Sequence, residues 1–235
     1  MCSGSKGNCY TISNEEEGLI LEAGGSFEEF KSFIDFNYLK FKGCLITHEH
    51  GDHIKNAKKM ISKCGIDTYM SLGTATEKNI DNAKIIECQE EEDDNGNKYL
   101  FDYNIGNFNV IPFNAEHNAR EPLGFIIEHK EMGRLFFSTD TSHIFYNFAG
   151  INNIMIECNY SLECMKNDST NWREHFSLEK CIRFLNRTDL SNVRNIILLH
   201  LSNENSNKNM FIERVKEATG ISNVFVAEKG LKIKL

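Results

Sequence analysis

Proline is nearly missing from this chain: Pro112 and Pro122 are the only two in 235 residues. No Gly-, Ser- or Pro-rich stretch and no low-complexity segment occurs, so nothing reads as a linker. A single domain over residues 1–235 is expected. No apolar run approaches the roughly 18 residues of a transmembrane helix, so no membrane partner is expected. The eight cysteines (Cys2, Cys9, Cys44, Cys64, Cys88, Cys158, Cys164 and Cys181) form no C-x-x-C pair, and Met1–Tyr10 carries no signal peptide. They read as reduced thiols, mostly in the core of a cytoplasmic protein. Positive charge is also short, with 26 Lys and Arg against 34 Asp and Glu and a net charge of −8. That balance argues against a general nucleic-acid sponge. It leaves open a small nucleotide, or a DNA end held mainly by metal ions. Lys55, Lys58, Lys59 and Lys63 gather on one helix, a face that solvation alone would explain.

Hydrophobic residues make up 40% of the chain, enough for a sizeable core. Alternation and short apolar runs predict strands at Cys9–Ser13, Gly18–Glu22, Phe41–Thr47, Ile66–Ser71, Lys84–Cys88, Lys98–Tyr103, Phe108–Asn114, Leu123–Glu128, Arg134–Ser138, Asn153–Glu157, Arg194–Leu199, Val224–Glu228 and Leu231–Leu235. Helical spacing predicts helices from Ser26 to about Phe36, Ile54–Cys64, Thr74–Asn79, Ser161–Lys166, Ser177–Asn186 and Asn207–Thr219. The acidic run Glu90–Asp94 before Asn95-Gly96 reads as a solvated hairpin tip. Two β-then-α blocks of similar size suggest two sheets face to face with helices outside.

The densest chemistry lies in Thr47-His48-Glu49-His50-Gly51-Asp52-His53, with the spacing H-x-H-x-D-H. An apolar strand delivers it and a helix carries the chain away. Imidazole nitrogen and carboxylate oxygen are donors that divalent metals take readily. Four donors from one loop do not all reach a single tetrahedral ion, so further ligands are expected at other strand ends. His117, Asp140 and His200 each follow an apolar strand. His175 precedes a helix that Ser177 could cap, and Glu157 ends a strand. His129, among Glu128, Lys130 and Glu131, reads as an exposed hairpin residue, and His143 as a surface histidine just past Asp140. The Ser3–Asn8 loop, with Gly4 and Gly7, reads either as a simple turn or as backbone that approaches a metal or phosphate.

These residues, with Ser3–Tyr10, Glu121–Phe125, Thr139-Asp140-Thr141, Glu157–Tyr160 and His200–Asn205, resemble the metallo-β-lactamase superfamily over nearly the whole chain. More narrowly they resemble the small bacterial and phage hydrolases of the YycJ/WalJ type, which are similar to DNA exonucleases. The resemblance implies an α/β fold, an αββα four-layer sandwich of two mixed β-sheets flanked by helices. It implies a di-metal site, with His48, His50 and His117 on one ion, Asp52, His53 and His200 on the other, and Asp140 between them. The ions would be Zn2+, with Mn2+ or Fe2+ as known variants. It also implies a phosphodiesterase or nuclease of DNA exonuclease type, with a metal-bridging hydroxide as nucleophile. Asp52 would orient that hydroxide or take its proton, and His175 would protonate the leaving group with Glu157 beside it. The alternatives are a small-molecule hydrolase such as a cyclic-nucleotide phosphodiesterase, or a non-catalytic binding protein on the same fold. Two departures stand out: Glu22 where the family usually has Asp, and Asn118 where it often has Asp after His. The chain also starts without most of the usual first strand, which leaves a sheet edge open or covered by a partner, a second copy in a homodimer included.

Overall fold

A computed structural model describes residues 2–92, 96, 98–166 and 173–235, apart from the side chain of Lys98. Contacts divide the chain into two compact units, Met1–Asn114 with Ala119–Gly124, and Ala115–Asn118 with Phe125–Leu235. In the first unit, β1 (Tyr10–Ser13) turns back as β2 (Gly18–Leu21) through a turn held by Asn14, whose Oδ1 accepts from the backbone N–H of Glu16 and Glu17. β3 (Phe41–Leu45), β4 (Thr68–Met70) and β5 (Lys84–Ile85) continue the sheet in parallel, in the order β1-β2-β3-β4-β5. Parallel neighbours need crossovers. These are α1 (Phe27–Phe33), then α2 (Gly51–Ile54) with α3 (Ala57–Cys64), then α4 (Leu72–Lys78). Ile20, Cys44 and Met70 of the sheet share one buried cluster with Phe27, Phe30, Met60 and Ala75 of the helices.

Two serine caps and one glycine set three of the helix ends. Ser26 and Ser71 accept from the N–H groups of Glu29 and Thr74, and Gly65 ends α3 at φ 65°. Three boundaries differ, the first being that of α4, which starts at Leu72 behind Ser71 rather than at Thr74. α1 stops at Phe33 because Asp35 and Phe36 take left-handed conformations. The single helix expected over Ile54–Cys64 breaks at Lys55-Asn56, because the N–H of Asn56 donates to Ala23 O, outside the helix.

The unit also holds the antiparallel pair β6 (Glu90–Glu92) and β7 (Lys98–Leu100), and the pair β8 (Tyr103–Ile105) and β9 (Phe108–Asn114). The expected strand Lys98–Tyr103 is therefore two, parted where Phe101 N donates to Gln89 O. The hairpin tip Asp93-Asp94-Asn95 lies outside the described residues.

In the second unit β10 (Leu123–His129), whose first two residues belong to the first unit, pairs antiparallel with β11 (Gly133–Ser138). β12 (Ile151–Glu157), β13 (Asn195–Leu199) and β14 (Val224–Val226) extend it in parallel, in the order β10-β11-β12-β13-β14. α5 (Leu178–Arg187) links β12 to β13 and α6 (Lys208–Thr219) links β13 to β14. Successive strand residues point to opposite faces. Phe136 packs on Phe184 of α5 with ring centroids 5.1 Å apart, while its neighbour Phe137 stacks on Phe125 at 6.5 Å. Ser138 lies beside Ile156 and Glu157 beside Leu199, so β11, β12 and β13 end at one sheet edge. In open α/β sheets ligands gather beyond the carboxyl ends of the strands.

Three expectations fail in this unit. Ser161–Lys166 is turn rather than helix, since the N–H groups of Ser161 and Lys166 are drawn to Asn205. Leu231–Leu235 is not a strand, although Lys234 O accepts from Asn195 Nδ2. His129 is buried, at 7% exposure, because its position in β10 decides its environment more than its charged neighbours do. No helix among the described residues is long and apolar enough to cross a membrane. Phe136→Ala is expected to cost about 3–5 kcal/mol. Denaturant unfolding measures this, and a loss under about 1 kcal/mol would contradict the packing of Phe136 against α5.

Candidate metal centre

In the first unit the chain leaves β3 through Ile46 and Thr47, and His50 stands at the N-cap of α2. Asp52 and His53 therefore lie in a helical turn, not in the loop the sequence suggests. The rings of His48 and His53 are 4.2 Å apart, and those of His48 and His50 are 4.7 Å apart. The turn is gripped from behind. Asp52 O accepts from Asn8 N at 2.7 Å, and His53 O from Ala23 N at 2.7 Å. Such close approach demands glycine. A Cβ on Gly24 would lie 1.4 Å from Asp52 O, and one on Gly7, at φ 149°, 2.3 Å from Gly24 O.

Asn8 is the residue the sequence did not single out. It is 0% exposed. Its Oδ1 accepts from Gly4 N at 2.8 Å and from the Tyr10 hydroxyl at 3.1 Å, which fixes the direction of the amide. Its Nδ2 then donates to Asp52 Oδ2 at 3.2 Å and lies 3.1 Å from His53 Nε2. Gly4 and Gly7 signalled a turn, but they carried no sign that a side chain does the contacting. On the other side of His53, Glu22 Oε2 stands 3.5 Å from Nδ1, and Glu22 Oε1 accepts from Thr47 N. The Glu in place of Asp thus still faces the histidine, with Glu22 held at φ 66°. Glu49 is buried and accepts from Arg120 N at 2.8 Å and Thr74 Oγ1 at 3.4 Å, tying residues 119–124 and α4 to the cluster.

The second unit brings five predicted residues together. Asp140 follows β11, Glu157 ends β12 and His200 follows β13 in a left-handed conformation, φ 53°. His200 Nδ1 is 2.8 Å from Asp140 Oδ1 and 3.1 Å from Glu157 Oε1. His175 Nδ1 is 2.6 Å from the same Glu157 oxygen. Carboxylate oxygens only accept, so both rings carry a proton on Nδ1. Glu157 Oε2 accepts from the N–H groups of Thr141 and Phe176, both at 2.9 Å. Burial pushes the Glu157 carboxyl up, but His175 and its hydrogen bonds outweigh this and hold it below the usual value. For His175 burial acts downward, while the charge and hydrogen bond of Glu157 carry the ring above its usual value. Ser177 caps α5 behind it, accepting from Lys180 N. His117 donates Nδ1–H to Glu174 O at 3.0 Å, and its Nε2 is 3.9 Å from Asp140 Oδ2. Trp172 lies outside the described residues. His143 is exposed, with its ring 4.4 Å from Phe145.

The donor chemistry fits hard or borderline divalent ions. Each unit gathers imidazoles and carboxylates and no thiolate. His48 and His117 spend Nδ1 on Thr47 Oγ1 and Glu174 O, an arrangement that orients Nε2 for ligation, while His53 Nδ1 faces Glu22 Oε2. Ligand atoms of Asp140, Glu157, His175 and His200 all lie within 4.8 Å of one another, as do those of His48 and His50, and of Asp52 and His53. These His/Asp groups are able to bind metal ions. The cysteines take no part: Cys9, Cys44 and Cys158 are buried, which pushes their thiols up, and no disulfide is formed.

The fold is that of metallo-β-lactamase-fold proteins. YhfI of Bacillus subtilis, described as a metallo-beta-lactamase fold protein, is similar at a TM-score of 0.72 and 15% identity, over 98% of this chain and 95% of that one. The short form of human tRNase Z is similar at 0.65 and 15%, over 100% and 95%. The pattern of the beta-lactamase superfamily domain matches residues 38–201, and the chain belongs to that family. Among curated relatives, exodeoxyribonuclease WalJ of Streptococcus pneumoniae is 27% identical over 230 residues, covering 89% of this chain and 83% of that protein. Exodeoxyribonuclease YycJ of Bacillus anthracis is 25% identical over 245 residues, covering 94% and 89%.

The Asn8 network predicts an asymmetry. Asn8→Asp puts a second carboxylate beside Asp52 and is expected to lower the melting temperature by roughly 5–10 °C. The same exchange at Asn207 is expected to change little, because that N-cap uses only an acceptor oxygen. Equal effects at the two positions would contradict the orientation assigned to Asn8.

Proposed function

We propose that the chain is a metal-dependent phosphodiesterase acting on DNA from an end. On this reading residues 1–235 work as one domain in the cytoplasm. His48, His50 and His117 hold one divalent ion, Asp52, His53 and His200 the other, and Asp140 serves both. Zinc suits these donors best, with manganese or iron as alternatives. Bound there, two such ions lower the pKa of a water and neutralise phosphoryl oxygens.

The observation that carries the reading is the pair of His175 and Glu157, 2.6 Å apart, beside Asp140 and His200. Phosphodiester cleavage releases an alkoxide that needs a proton. A histidine whose Nδ1–H is anchored on a buried carboxylate presents Nε2 as the donor. Asp52, which accepts from Asn8, would orient the attacking water or take its proton. The exodeoxyribonuclease relatives support DNA as substrate. The net charge of −8 favours the second reading, a small phosphodiester such as a cyclic nucleotide.

The test is metal analysis with kinetics. The purified protein should hold two divalent ions per chain, and chelation should abolish attack on DNA until metal is restored. His175→Ala should keep both ions yet slow cleavage of DNA by about 100- to 10,000-fold. It should barely slow a p-nitrophenyl phosphodiester, whose leaving group needs no proton. Full DNA cleavage by His175→Ala would overturn the acid assignment. Rapid cyclic-nucleotide turnover with no attack on DNA would favour the second reading.

A further inference from the structure

If the substrate is a polynucleotide, on the reading proposed for this site, something must hold its backbone on a protein whose net charge is −8. The exposed face of α3 is unusual in this chain. From His53 to Ile66 there is no acidic residue, while Lys55, Lys58, Lys59 and Lys63 are all exposed. Other surface helices mix signs: α1 carries Glu28 and Glu29 with Lys31, and α6 carries Glu213 and Glu217 with Lys216.

Stability does not explain the lysines of α3. Lys58 and Lys59 lie in its first turn, which has no acidic residue. A helix N-terminus disfavours cations. Lys59 and Lys63 stand four residues apart within α3, where like charges repel. Lys6, Lys55, Lys58 and Lys63 form no ion pair among the described residues. Lys59 donates to Asn56 Oδ1 and lies over the Phe27 ring, so it is partly engaged.

The lysines also begin at the histidine cluster. Lys55 is two residues past His53, and its Nζ donates to Lys6 O at 3.1 Å. Lys6 is exposed and belongs to the loop whose Asn8 grips Asp52. Cations thus start beside the His48–His53 turn and spread over the exposed side of α3. The rise from Ala57 to Cys64 is about 10 Å at 1.5 Å per residue. We propose that Lys6, Lys55, Lys58 and Lys63 form a phosphate track, which holds the backbone of single-stranded DNA beyond the bond being cut. The contacts are charge to phosphate and carry no base preference.

The experiment measures binding and cleavage separately. Labelled single-stranded DNA is titrated with metal-loaded protein in a His175→Ala background, so that the strand stays intact, over a range of salt. Lys58→Gln/Lys63→Gln should weaken binding at least tenfold and reduce the slope of log affinity against log salt by about 0.7 per lysine removed. Lys58→Arg/Lys63→Arg should restore both. In the otherwise native protein the Gln pair should raise KM for DNA and leave turnover of a p-nitrophenyl phosphodiester unchanged. If the native protein binds no DNA, or the Gln pair binds with unchanged affinity and salt slope, the track is overturned. If lysine-dependent binding is found without any cleavage of DNA, the track stands and the proposed activity falls.

Discussion

Glu157 has no exposure to solvent, and its two carboxylate oxygens meet four donors from three other segments. Thr141 N comes from the chain just past β11, His200 Nδ1 from just past β13, and His175 Nδ1 and Phe176 N from the approach to α5. A buried carboxylate without donors is costly, so these contacts are as much a condition of folding as of function. The parallel register of β11, β12 and β13 brings the strand ends level, and Glu157 then fixes what emerges from them. The two histidines are oriented by that one group.

The first unit solves the same problem with different groups. Its histidine turn has backbone carbonyls that need donors and side chains that need a direction. Asn8 N and Ala23 N satisfy the carbonyls, and the Asn8 amide, Glu22 and Thr47 address the side chains. Gly7 and Gly24 are the geometric condition, since a side chain at either would collide with backbone. The site is thus prepared by groups that themselves need not touch a metal or a substrate. Preorganised donors of this kind spare reorganisation during reaction.

Much of this was legible in the sequence. The sequence singles out His117, Asp140 and His200 because each follows an apolar run, and strand ends present side chains to a shared edge. The residues that orient them are not singled out. An Asn between glycines reads as a turn former whatever its amide touches, and Glu49 inside the histidine motif gave no sign that it holds the N–H of Arg120, 71 residues further on. His129 shows the opposite error, in which charged neighbours outweighed its place in a strand. The break between α2 and α3 was invisible because helical spacing of apolar residues continues through it, while a hydrogen bond from Asn56 to Ala23 decides the backbone.

Local sign matters more than total charge for a polymeric substrate. The acidic excess is concentrated in places such as Glu15–Glu17 and Glu90–Glu92, while α3 is cationic beside the histidine turn. The chemistry proposed for the site rests on its ions. Anomalous X-ray diffraction at the absorption edge of the metal that copurifies tests them directly. Two peaks are predicted, one against His48, His50 and His117 and one against Asp52, His53 and His200, with Asp140 at both. A metal bound elsewhere, or no anomalous peak at these residues in protein that cleaves DNA, would contradict the assignment.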